Sequence, residues 1–510
     1  QTLQANTGRK NLNSLTEEIL YPYQREAAHA IAQKRRVLLA DQPGLGKTLE
    51  VLASMELMDL YNPADSNAIL ILSPLVNVRT AWIRTIQEFL LPRYPSVTVV
   101  DLGTGTATKK DTLLASALAS PDTNPIIVVA NHDALSLVKG KPRVPSLANT
   151  FWSAVVIDES HMVLPITTPG SLTNFWKGLM RLEMHDPEDP IRIAISGTPD
   201  RGKLEYRYGT WRFLNPRLAP EKQWAWLEKT FNVYERQVTR TRKVKVIGAL
   251  KDASAWVEMD RQVTIRRTKE EVLPELPPKT YHFIDLPMKR DQYHAYKDAE
   301  DQAMIDSADT PNALLTFAIK ARQLATYSEG SSNKLEWIVQ WLTERGYVED
   351  IGLNTGKVVI SSQFVKTLTW IRDELMELGV VAAMLTGDMS PNNRAHVQQR
   401  FQDPNDPLRI ILLSGNMGVG IDLDVADDLI MVDLPYDPDK LEQIEDRIHR
   451  ASNMHKVTIW HLLSIGSIDP AIAEKATTRR VKSRQLLDGS RGVDFSRKVV
   501  DYLTGNMETE

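Results

Sequence analysis

Residues 36 to 49 constrain the fold more tightly than any other stretch. Arg36-Val37-Leu38-Leu39-Ala40 is an apolar, strand-forming run, and Asp41-Gln42-Pro43-Gly44-Leu45-Gly46-Lys47-Thr48 is a glycine-rich loop. Leu49 then opens a helical stretch. Strand, loop and helix in that order are the setting a phosphate loop requires. Gly44 and Gly46 let backbone N–H groups converge on phosphate oxygens, and the helix amino terminus adds partial positive charge. Lys47 is expected on the β- and γ-phosphates of ATP, and the Thr48 hydroxyl on Mg2+. Asp41 stands where the common form of this loop has its first glycine, and the bland alternative is a glycine turn before an ordinary helix.

The surrounding pattern sets the fold class. Ala68–Ser73, Ile126–Ala130, Ala154–Ile157 and Ile191–Ile195 are short apolar runs separated by stretches long enough for helical crossovers, as in a parallel sheet buried on both faces. A second set follows at Lys357–Ser361, Val380–Leu385, Arg409–Ser414, Leu429–Asp433 and Val457–Leu463. The expected class is α/β, with two similar parallel-sheet lobes and helical insertions between and after them. The first lobe is read as residues 1–220, and a helical insertion and linker as 221–335, where Tyr281–Leu286 is the main strand candidate. The second lobe is read as 336–475, and a basic helical tail as 476–510.

Further chemistry lies at strand ends. Ala154–Ile157 runs into Asp158-Glu159-Ser160-His161, and the carboxyl end of a buried parallel strand is where α/β sheets bind ligands. Asp158 is expected to hold Mg2+, partly through water, and Glu159 to orient the attacking water. A solvated acidic turn is the plain alternative. Gln24, just upstream of the loop, carries an amide that can both donate to and accept from adenine. Far downstream, Arg447 and Arg450 are three residues apart and are expected on one helix face, where two guanidinium groups can reach a γ-phosphate.

Composition excludes several classes. The 510 residues include no cysteine, so disulfides and thiolate metal sites are absent, and the histidines show no metal-binding spacing. No apolar run is long enough to cross a bilayer as a helix, and no membrane contact is expected. The expected location is intracellular: cytoplasmic in a bacterium or phage, with nuclear and organellar sites left open. With a net charge of -4, any nucleic-acid contact must use local basic patches.

These motifs, in this order from about Leu20 to Ala476, resemble helicase superfamily two, and within it the SWI/SNF-type double-stranded DNA translocases. Asp41 to Thr48 is similar to the family's acidic-start phosphate loop. Leu72-Ser73-Pro74-Leu75, with Trp82 and Glu88-Phe89, resembles the next motif, and Ser196-Gly197-Thr198-Pro199 the motif that couples hydrolysis to movement. Ile265-Arg266-Arg267-Thr268-Lys269, running into Leu276-Pro277-Pro278-Lys279, is the most family-specific stretch. In the second lobe, Lys357–Phe364, Leu385-Thr386-Gly387 with Arg394 and Phe401, Leu413-Ser414 with Gly418–Leu423, and Gln443–Arg450 continue the resemblance. Ser452-Asn453 replace a usual Gly-Gln, Asp422 a usual Asn, Pro43 a usual Met and Asp200-Arg201 a Gln-Asn pair, which marks a divergent member.

The resemblance implies that the two parallel-sheet lobes are RecA-like, and that ATP hydrolysis is coupled to 3′ to 5′ movement along one strand of double-stranded DNA, in repair, fork processing or remodelling. Arg447 and Arg450 become arginine fingers that meet ATP across a cleft, and Gly420 and Asp422 become nucleotide contacts. Ser73, Pro74, Ser362, Gln363, Thr386, Gly387 and Ser414, at strand ends, become contacts to DNA phosphates, which position without reading sequence. Arg240, Arg242, Lys243 and Lys245 are candidates for the second strand. ATP and Mg2+ are the expected cofactors, double-stranded DNA the expected partner and a monomer the expected state. Two alternatives stay open: a strand-separating DNA or RNA helicase, and an ATP-switched clamp or scaffold without motor activity.

Overall fold

Contacts divide the chain into two units, Gln1–Val272 and Leu273–Glu510. The computed structural model describes residues 2–3, 14–120, 124–167, 171–200, 203–220, 222–237, 243–306, 313–328, 330–348, 356–415, 421–450 and 455–476.

The first unit is built on an eight-stranded sheet. In spatial order its strands are Thr2–Leu3, Thr98–Leu102, Ile126–Asn131, Ala68–Ser73, Ala154–Ile157, Ile191–Ile195, Arg36–Leu39 and Thr264–Ile265. All neighbours are parallel except Thr2–Leu3, which pairs antiparallel with Thr98–Leu102. The strands alternate between two cores because successive side chains face opposite sides of a sheet. Leu38, Leu70, Val128 and Val155 pack on one face with Trp152, Trp176 and Trp211. Val37, Leu39, Ile69, Ile71 and Val156 pack on the other with Ile31, Val51 and Trp82. Burial on both faces is why these runs are continuously apolar.

Two departures from the expected pattern lie in this unit. Thr98–Leu102 is a strand that the sequence reading passes over, because its buried Asp101 interrupts the apolar run. Phe231–Gln237 and Lys243–Leu250, in the region expected to be helical, form an antiparallel pair. Its Lys-Val-Lys-Val alternation is a period-two signal outweighed by the charged composition around it.

The second unit holds six parallel strands in the order Thr280–Pro287, Thr458–Ile465, Asp428–Met431, Val358–Ser362, Ile410–Ser414 and Ala382–Leu385. The fold class is therefore as expected, two parallel-sheet α/β lobes. The tail from residue 477 onward lies outside the described residues. Among the described residues no helix is long and apolar enough to cross a membrane.

Candidate nucleotide and nucleic-acid sites

The phosphate loop leaves the Arg36–Leu39 strand, and the Lys47–Leu57 helix starts at its end. Gly44 and Gly46 take φ of 87° and 86°, the left-handed region where a side chain is strained. At Gly46 a Cβ would also lie 2.2 Å from Nε2 of Gln24. Gln24 is buried beneath the loop: its Nε2 donates to the Leu45 carbonyl at 2.8 Å, and its Oε1 accepts from Tyr21 N at 3.0 Å. Tyr23 OH donates to the same carbonyl at 3.1 Å. Gln24, expected on adenine, thus also braces the loop. Lys47 Nζ donates to the carbonyls of Asp41 and Gln42, at 2.8 and 3.0 Å. Burial pushes this ammonium below its ordinary pKa, and the carboxylates of Asp41, Glu159, Glu50 and Asp158 pull the other way.

Asp41 now has a structural account. It is fully buried, and Arg267 donates to it from its backbone N at 2.8 Å and from Nε at 3.0 Å. Arg267 Nη2 also bonds Glu50 at 3.0 Å, and its Nη1 donates to the Tyr23 carbonyl. Burial and the Asp41 charge raise the Glu50 carboxyl to about 8, which Arg267 only partly opposes. Neighbouring Arg266 donates from Nη1 to the carbonyls of Ala40 (2.6 Å) and Gly197 (3.1 Å). The family-specific stretch thus clamps the phosphate loop, a role the sequence reading does not assign. Parallel pairing of Thr264–Ile265 with Arg36–Leu39 delivers both arginines.

Asp158 and Glu159 end the next strand but one. Oδ2 of Asp158 accepts from Ser73 Oγ (2.7 Å), Asn77 Nδ2 (3.2 Å) and Trp82 Nε1 (3.1 Å), while Oδ1 accepts from Glu159 N (2.9 Å). Burial and the Glu159 charge raise this carboxyl despite those donors. Glu159 sits at φ 46°, ψ 46°. Burial favours its neutral form, but His161, with Nδ1 3.2 Å from Oε2, and Lys47 outweigh that and hold the carboxyl below its ordinary value. His161 Nδ1 is also 2.9 Å from Ser196 Oγ, which accepts from Thr198 N at 3.2 Å. Gly197 packs so closely on Pro43 that a Cβ would meet its ring at 2.9 Å. The three loops therefore form one bonded set.

The donor set fits Mg2+. Oδ1 of Asp158 keeps acceptor capacity, Thr48 supplies a hydroxyl, and a hard cation of this kind retains waters and phosphate oxygens for the rest of its shell. Among the described residues no cluster of three or more His, Cys, Asp or Glu side chains offers a separate metal site.

In the second unit the Pro438–Glu445 helix stops before Arg447, so Arg447 and Arg450 lie in the turns beyond it rather than on a helix face. The backbone closes i to i+3 there, with Arg447 N bonded to Ile444 O at 3.2 Å and Ile448 N to Glu445 O at 3.3 Å. The Arg447 carbonyl accepts from Leu423 N at 3.1 Å, which ties the turn to the neighbouring segment. Arg450 pairs with Asp422 at 2.5 Å. Burial, then repulsion from Arg450 and Arg394, pushes Arg447 down to about 10. Lys279 bonds Glu445 and Asp446 at 3.1 and 2.9 Å, and His449 Nε2 lies 2.8 Å from the Pro277 carbonyl. Gly420 lies outside the described residues.

The residues expected on DNA divide. Ser73 Oγ is buried and turned to Asp158, and Ser362 Oγ is buried and turned to Asp433. In both lobes an aspartate at an adjacent strand end takes the hydroxyl, so neither faces outward as expected. Gln363, Thr386 and Ser414 are buried, Pro74 is half-buried, and Gly387 is exposed with open space at its α-carbon. Arg240 and Arg242 fall outside the described residues, whereas Lys243 and Lys245 pair with Glu235 and Glu228 on the surface.

A basic pocket of about 120 Å³ lies at the carboxyl ends of Thr98–Leu102 and Ile126–Asn131, with Gly105, Thr106, Lys110, Asn131, Asp133 and Arg143 in its wall. Lys110 Nζ donates to Asn131 Oδ1 at 2.7 Å, and Arg143 lies 3.5 Å from Asp133. Arg79 reaches Thr104 Oγ1 at 3.0 Å beside it. No motif marks these cations in the sequence, because they converge only through strand order.

Residues 16–336 match the family model of the SNF2-related domain, and residues 335–452 that of the helicase conserved C-terminal domain. The first match spans well over half of the chain, and the chain belongs to the SNF2-related family, whose ATP-dependent, helicase-type members hydrolyse ATP. It is 23% identical over 460 residues to an uncharacterized ATP-dependent helicase of Mycoplasma pneumoniae, covering 88% of this chain and 40% of that protein. It is likewise 23% identical over 461 residues to the DNA annealing helicase and endonuclease ZRANB3 of Mus musculus, covering 88% and 39%. The chain thus spans about 40% of the length of these curated relatives. Among solved structures it is similar to the Sulfolobus solfataricus SWI2/SNF2 ATPase core in complex with dsDNA, with 21% identity, 98% and 100% of the two chains covered and a TM-score of 0.42.

Proposed function

We propose that this chain is an ATP-dependent translocase on double-stranded DNA, which uses hydrolysis to remodel DNA or protein–DNA complexes without processive strand separation. One observation carries the reading: the nucleotide groups and a basic pocket occupy the same carboxyl edge of one parallel sheet. Lys47 and the backbone N–H groups of residues 44 to 48 bind the phosphates, and Thr48 and Asp158 hold Mg2+. When bound, the ion neutralises charge that develops on the phosphates. Glu159, kept ionised by His161 and Lys47, orients the attacking water and receives its proton. Arg447 and Arg450 supply positive charge to the transition state. Lys110, Arg143 and Arg79 take DNA phosphates, contacts that tolerate any sequence.

Lys47→Ala and Glu159→Gln are each expected to lower turnover by at least ~10²–10³-fold with the circular-dichroism spectrum retained. Wild-type turnover in both variants would refute the site. ATPase rates with single-stranded, duplex, forked and RNA ligands test the substrate class. Duplex stimulation with triplex displacement supports translocation, whereas robust unwinding of a tailed duplex favours the strand-separating helicase.

A further inference from the structure

The basic pocket and the acidic pair are joined by one side chain that the reaction itself does not use. The Ile126–Asn131 strand ends at the pocket, and a single turn, His132–Leu135, follows. Asn131 and Asp133 both line the pocket, bonded to Lys110 and paired with Arg143. His132, between them, is buried and points the other way. Its Nε2 lies 2.9 Å from the carbonyl oxygen of Asp158, and because a carbonyl only accepts, this nitrogen carries the proton and donates. Phe175 packs on the ring, with centroids 6.0 Å apart at 75°, which fixes the plane of the imidazole.

The carbonyl so held belongs to the peptide that joins Asp158 to Glu159. The N–H of the same peptide donates to Asp158 Oδ1 at 2.9 Å. Glu159 has φ of 46°, a conformation a non-glycine residue keeps only when its surroundings hold it there. A rotation of this peptide plane therefore moves the metal carboxylate and the water-orienting carboxylate together. His132 is its handle from the side of the pocket.

We propose that His132 is a positioning residue that conveys occupancy of the Lys110–Arg143 pocket by a nucleic-acid backbone phosphate to the Asp158–Glu159 peptide. The inference rests on the DNA reading above and adds the route by which DNA controls hydrolysis. A phosphate bound to Lys110 and Arg143 competes for the cations that now hold Asn131 and Asp133, and the residue between these two must respond. No new covalent step is involved.

The test uses the full chain, with ATPase rates measured with and without a duplex oligonucleotide and duplex affinity measured by fluorescence anisotropy. His132→Phe keeps the ring and removes the donor. It is expected to reduce the ratio of duplex-stimulated to unstimulated kcat at least about fivefold. Duplex affinity and the KM for ATP should each stay within about twofold. His132→Asn, whose amide can donate, is expected to restore part of the stimulation. A preserved ratio in His132→Phe overturns the relay, including the case where both rates fall together, since that marks a purely structural role. Failure of His132→Asn to recover any stimulation beyond His132→Phe also overturns it. A wild-type enzyme indifferent to duplex overturns the DNA reading and the relay with it, whereas a stimulated wild type with an equally stimulated His132→Phe overturns the relay alone.

Discussion

At the scale of single residues, the first unit stakes much on buried charge. Arg267 faces Asp41 and Glu50, both fully buried, and removal of its guanidinium leaves Asp41 without that cation and Glu50 without that donor. Arg267→Ala is expected to cost about 3–5 kcal/mol, seen as a lower urea midpoint, and Arg267→Lys to recover little, since an ammonium cannot serve both acids and the Tyr23 carbonyl in fixed planar geometry. Another buried acid, Asp200, pairs with Arg207, whose Nη2 donates to its Oδ2 at 3.2 Å. Burial raises its carboxyl to about 6 and Arg207 offsets only part of that. The folded value lies above the ordinary 3.8. The contribution of this group to stability is therefore fully present below about pH 4 and is lost as pH rises through about 6. Asp200→Asn should flatten the slope of unfolding free energy against pH in that window, and an unchanged slope would show that another group sets it.

At the scale of elements, the stretch from Ile265 to Tyr281 has two ends with similar duties. Arg266 and Arg267 hold the phosphate loop, while Lys279 and Tyr281 bond Glu445 at the end of the helix that leads to Arg447. Lys279→Met should lower kcat for ATP about tenfold with KM changed less than about twofold, because it loosens the turn that carries the proposed arginine fingers. A change confined to KM would contradict that assignment. The sequence exposes such elements unevenly. Apolar strands such as Ala68–Ser73 and Ile410–Ser414 were legible because burial on both faces leaves a continuous apolar run. The polar pair Phe231–Gln237 and Lys243–Leu250 was not, because exposed strands carry the same charged residues as exposed helices. Lys47, Asp158 and Glu159 stand out as candidates because the chemistry expected of them requires fixed local spacing. Arg267, Lys110 and Arg143 were not, since each meets its partners only through the order of strands in a sheet. Ser73 and Ser362 stand at strand ends, as their apolar runs imply, but their hydroxyls turn inward to an aspartate far along the chain with no sequence signal to pair them.

At the scale of the whole molecule, a chain of net charge -4 that binds DNA must do so through patches, and its affinity is then governed by counterion release. Duplex affinity should fall steeply between about 50 and 200 mM salt, and Lys110→Met should reduce the slope of log K against log salt by about one. A flat salt response would argue against phosphate contacts. The clamp on the phosphate loop has a consequence for how such chains can be recombined. Asp41 and Arg267 are 226 positions apart and serve as one unit. A chimera whose crossover falls between them inherits the acid from one parent and the base from the other. Where the second parent begins its loop with glycine, that hybrid carries a buried charge with no counterpart, and the half-exchanged gene should fail before its activity can be tested.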